Sequence, residues 1–140
     1  MRQGSLLLLP LLLGCVGEPS PSTRPPYDLQ ELATRAPGIG ALVRAVQLCG
    51  LTLSQPAQER AAQIEAAAIE LHQHQGGTLE RDAFLRGMAP PRFDPPHASR
   101  DRAAWCAAKR PEVQQMDAML NGADGTALVQ RAEAAQASFR

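Results

Sequence analysis

From Tyr27 onward, apolar residues return every three or four positions, the spacing that lines one face of an α-helix. Asp28 is placed to cap a first short helix carrying Leu29 and Leu32, which Pro37-Gly38 would break. Ile39, Leu42, Val43, Val46 and Cys49 predict a second helix, and Gly50 suits a left-handed stop behind it. A third helix is expected from Ser54 or Gln55, with Pro56 in its first turn, where a missing N–H does no harm. Ala61, Ile64, Ala68 and Leu71 would form its apolar face, and Gly76-Gly77 its end. Thr78 would then cap a short helix with Leu79, Phe84, Leu85 and Met88 on it.

The stretch 89–97, APPRFDPPH, holds four prolines and must be a loop, with Phe93 tucked against the body. Ser99 opens a helix containing Ala103, Cys106 and Ala107. Pro111 should kink or restart it, although Val113, Met116 and Leu120 continue the stripe from Cys106. Gly122 stops that helix, and a last one from about Asp124 carries Leu128, Ala132, Ala135 and Phe139. No strand-length alternation and no internal repeat occurs. The expectation is an all-α domain over residues 27–140, a small bundle of four to six helices. Its core is rich in alanine and poor in aromatics, the whole aromatic set being Tyr27, Phe84, Phe93, Trp105 and Phe139.

Ahead of this domain, Arg2 precedes the apolar run Leu6–Leu13, eight residues against the roughly 20 that a membrane span requires. Such a run fits the h-region of an export signal. Leu12, Leu13, Gly14 and Cys15 resemble the lipobox at which bacterial lipoproteins are cut and acylated, with Leu13 standing where a small residue is more usual. The resemblance implies a signal peptide over residues 1–14, a diacylglycerol on the thiol of Cys15, and a membrane held through acyl chains. It also implies a periplasm-facing position in the cell envelope. Val16 is not the aspartate of inner-membrane retention, so the outer membrane is the implied destination. Cleavage after Gly17, releasing a soluble periplasmic or secreted protein, is the alternative that this stretch leaves open. Residues 15–26, with Pro19, Pro21, Pro25 and Pro26, predict a disordered or polyproline-like tether with a reach of up to ~30 Å.

Removing residues 1–14 takes Arg2 away and leaves a net charge of −1. A near-neutral domain has no electrostatic footprint for nucleic acid and no polybasic membrane patch. With Cys15 lipidated or removed, Cys49 and Cys106 remain, and an even pair in an oxidising compartment is expected to form a disulfide. The other reading, a redox or metal-binding pair, lacks both a Cys-x-x-Cys spacing and a histidine nearby in sequence.

Candidate chemistry is sparse. His72 and His74 lie two apart and so on different faces of a helix, whereas Glu70 and His74 share one; a solvated polar face is expected. Asp117, Asn121 and Asp124 lack the alternate acidic spacing and final glutamate of a calcium loop, so Asn121-Gly122 is read as a helix stop followed by a cap. No phosphate-binding glycine loop, Gly-x-Ser-x-Gly or His-Glu-x-x-His is present, and neither catalytic residue, metal nor cofactor is expected. Trp105 is expected to pack into the core, covering the bridge, with a surface anchor as the alternative reading; Phe93 and Trp105 are the candidate surface contacts for an envelope protein partner. No small-molecule substrate is evident.

Leu51-Thr52-Leu53-Ser54-Gln55 resembles the LTxxQ pattern of small helical periplasmic chaperones and metal-stress sensors. That resemblance implies a capping box in which Thr52 opens a helix and Gln55 reaches back, and it supplies the second functional reading. The first is a non-enzymatic interaction or scaffolding module.

Overall fold

The computed structural model describes residues 29–140; the leader, Cys15, the proline-rich stretch, Tyr27 and the capping role of Asp28 lie outside them. The described chain is all helical: α1 (Leu29–Cys49), α2 (Gln55–Gly87), α3 (Ala98–Asn121) and α4 (Ala123–Ser138). Leu32, Ile64, Met88, Val113, Leu120 and Leu128 sit at the centre, each under 2% exposed. Eight of the nineteen buried apolar side chains are alanine, so the helices gain area by close approach, with small payloads per residue. On α2, the face foreseen from Ala61, Ile64, Ala68 and Leu71 is buried, joined by Ala57 and Ala67.

The predicted break at Pro37-Gly38 does not occur. Pro37 lies inside an uninterrupted α1. It removes one backbone donor, but Leu32, Ala36, Ile39 and Ala45 are buried along one side of that helix. Keeping this stripe in the core outweighs the single lost hydrogen bond. Pro111 is likewise carried inside α3, whose buried Val113, Met116 and Leu120 continue the stripe past it. Gly38 is exposed, and a Cβ there meets nothing within 4 Å. Gly38→Ala is therefore expected to stabilise the fold by ~0.5–1 kcal/mol, read as a higher urea midpoint.

Gly50 ends α1 as foreseen, at φ 62°, while Leu51 N–H donates to the carbonyl of Val46 at 3.1 Å, closing a Schellman turn. Gly76 (φ −150°) and Gly77 (φ 67°) break the helical path within α2, which is thus two arms, 55–75 and 78–87. The second arm folds back. Phe84 lies on the ring of His72 at 4.5 Å, whereas twelve residues of straight helix would separate them by ~18 Å. One expectation for this arm fails, since Thr78 makes no capping hydrogen bond; Leu79, carried on it, is 75% exposed.

The capping box implied by the LTxxQ resemblance is not formed. Ser54, and not Thr52, is the N-cap of α2. Gln55 Nε2 donates to Glu59, and Gln58 Nε2 reaches back to the carbonyl of Leu53 at 2.8 Å. Among the described residues no helix is long and apolar enough to cross a membrane.

Candidate interaction surface

Cys49 is the last residue of α1 and Cys106 the ninth of α3, and they form a disulfide with a Cα–Cα distance of 5.6 Å. The bridge is consistent with an extracytoplasmic setting. One turn before Cys106, Arg102 Nη2 donates to the carbonyl of Leu48 at 2.5 Å. The last turn of α1 has no basic residue of its own. Arg102 supplies the missing cation at the negative end of that helix dipole. Covalent bond and guanidinium together hold α3 against the end of α1.

Onto this end folds the 89–97 loop. Phe93 stands edge-on to Trp105, centroids 5.9 Å apart at 63°. Lys109 Nζ lies 5.7 Å from the Trp105 ring and pairs with Glu112 at 2.8 Å. Both candidate contact residues are thus brought together, each half-buried against the other's surroundings. Phe93 is tucked in as the sequence suggested. Beside it runs a cleft of about 340 Å³ between Leu48, Pro90, Pro91, Phe93, Ser99 and Arg102. Leu48 and Pro90 also wall a second, more open depression bounded by Arg44 and Gln47.

Near the C-terminal end of α3, a polar cluster ties three segments together. The Asp117 carboxylate accepts from Ser54 N–H at 2.6 Å and from Ser54 Oγ at 3.2 Å. Asn121 Nδ2 donates to Asp117 and to Ser54 Oγ. In return Arg60 Nη1 donates to the carbonyl of Leu120 at the end of α3, whose last turn also lacks a basic residue. An anion thus sits at the N-terminus of α2 and a cation at the C-terminus of α3, both favourable to the dipoles. The expected stop-and-cap at Asn121-Gly122 is confirmed only in part: Gly122 caps α3 and opens α4, and Asn121 serves the Asp117 cluster. Asp117→Ala is expected to cost ~1–2 kcal/mol, seen as a lower denaturation midpoint, with Asn121→Ala costing less.

The solvated polar face foreseen here is present at Glu70 and His74, both exposed, while His72 is half-buried. His72 stacks on Phe84, and His74 on Phe139 at 4.2 Å, so both rings serve packing. Glu70 accepts from Gln136 Nε2 of α4. No three His, Cys, Asp or Glu side chains among the described residues come together as a metal site would require. Arg102 and Arg60 were not singled out by sequence reasoning, and Asp117 only as a calcium-loop candidate that was set aside, since each acts on a residue 54 or more positions away. Comparison with family models, with curated proteins and with solved structures finds no match to this chain.

Proposed function

We propose that the chain is an exported lipoprotein, acylated on Cys15, that works as a non-enzymatic interaction module at the cell envelope. The observation that carries this reading is the Cys49–Cys106 disulfide. It fits an oxidising compartment, and it leaves Cys15, behind the Leu6–Leu13 run, as the remaining thiol for lipid. Each acyl CH₂ placed in the bilayer adds ~0.8 kcal/mol of membrane affinity, so two or more chains make a lasting anchor. A proline-rich tether would then carry the cross-linked bundle clear of the headgroups, facing the periplasm, with the outer membrane as the destination.

Fractionation of cells expressing the wild-type chain and Cys15→Ser tests the reading. The wild-type protein is expected in the outer-membrane fraction, released by detergent and not by salt. Cys15→Ser is expected to leave that fraction, as an uncleaved precursor or a soluble product. A wild-type protein recovered without membranes would overturn the anchor.

A further inference from the structure

We infer that the proline–aromatic end of the bundle, the cleft between Leu48, Pro90, Phe93 and Arg102, receives an extended acidic segment of a partner protein. The inference rests on the interaction-module reading above and adds the chemistry of the partner.

Charge is the first ground. Residues 29–140 balance at twelve basic and twelve acidic side chains, yet the stretch from Arg86 to Arg110 holds six basic residues against Asp94 and Asp101. Of the two acids, Asp101 is taken up by Arg100 at 3.6 Å. Arg92, set between Pro91 and Phe93, is exposed and enters no ion pair. Arg102 spends one donor on the Leu48 carbonyl and has no carboxylate partner. A guanidinium carries five donors in a fixed fork suited to carboxylate. Lys109 is already paired with Glu112, but Arg102 lines the cleft and Arg92 is flanked by the lining residues Pro91 and Phe93, and acidic groups complement these two guanidiniums.

Shape is the second. The cleft at Phe93 and the depression at Arg44, whose guanidinium pairs with Glu65, adjoin across Leu48 and Pro90, so an extended chain can lie along both. Pro90 and Pro91 have no N–H, so this wall offers no strand edge to pair with. Affinity must come from carboxylates on Arg92 and Arg102 and from apolar side chains laid on proline and Phe93. Phe93 lines the cleft and is held from behind by Trp105, so this wall is preformed at little entropic cost.

Trp105 is the chain's only tryptophan and touches Phe93, which lines the cleft, so its fluorescence reports occupancy of the cleft through that ring contact. The test uses the full chain in non-ionic detergent, titrated with a peptide of four Glu-Pro-Leu repeats, with four Lys-Pro-Leu repeats as control. Expected are a saturable Trp105 shift with the glutamate peptide, weakening with salt, and none with the lysine peptide. Arg92→Glu should weaken binding by about tenfold or more. Arg102→Glu should do the same, with circular dichroism checking that α1 stays intact; Arg92, exposed and unpaired, tests the surface without that concern. No shift with the glutamate peptide, equal response to both peptides, or an unaffected Arg92→Glu would overturn the inference. A shift with phosphatidylglycerol vesicles in place of the peptide would also overturn it, assigning the surface to lipid. The titration does not depend on acylation, so its failure leaves the Cys15 anchor standing, and failure of the anchor leaves the titration interpretable.

Discussion

Reduction of the Cys49–Cys106 bridge is expected to lower the stability of the domain by about 4 kcal/mol. The crosslink closes a loop of 57 residues, and in the chain-entropy treatment that many residues correspond to about 4 kcal/mol of restricted unfolded-state freedom. For a domain of this size the loss amounts to roughly 15–30 °C in Tm. The core explains why the figure matters. Alanine supplies so many of its buried contacts that each helix contributes little apolar area, and the fold depends on staples more than a leucine-rich bundle does. The measurement is a urea titration with and without reductant, alongside Cys49→Ala/Cys106→Ala. Both arms should fall to the same lower midpoint. Coincident curves with and without reductant would show that the bridge stabilises nothing.

Gly125→Ala should cost roughly 3 kcal/mol or more. Gly125 is buried in the first turn of α4, and a Cβ there would lie 2.0 Å from the carbonyl oxygen of Leu120 and 2.5 Å from its Cα. These are backbone atoms at the end of α3, already held by Arg60, so they cannot swing aside as a side chain can. Gly40 makes the contrast. Its added Cβ would meet Met88 Sδ at 2.1 Å, the far end of a flexible thioether, and repacking lowers the cost to ~1–2 kcal/mol. Gly122, whose Cβ would clear its neighbours at 3.4 Å, is the control and should move the midpoint little when changed to alanine. Equal losses at positions 122 and 125 would mean that close approach of α4 to α3 is not what Gly125 provides.

Where the fold was legible in the sequence, the signal was local. The Ala61, Ile64, Ala68, Leu71 stripe, the Gly50 stop and the Gly76-Gly77 break each follow from a period or from backbone freedom within a few residues. Pro37 and Pro111 misled because helix-breaking is a local penalty, while the burial that overrides it belongs to the assembled core. The caps were illegible for the same reason. Nothing near Ser54 in sequence announces Asp117, 63 residues on, nor does anything near Leu48 announce Arg102. The stacking of half-buried His72 on Phe84 and of exposed His74 on Phe139 was not legible, because the hairpin of α2 and the end of α4 bring those partners. Of the candidate surface, Phe93 and Trp105 were found from residue type alone. Their pairing, the proline-walled cleft and the uncompensated arginines arise only when the 89–97 loop lies against the end of α1.

The most direct measurement of the central claim is the intact mass of the native protein, alkylated at free thiols without prior reduction. The account predicts a chain lacking residues 1–14, heavier by a diacylglycerol and any further acyl chain on Cys15, with Cys49 and Cys106 unalkylated. A 140-residue chain carrying three alkylated cysteines and no lipid would contradict it.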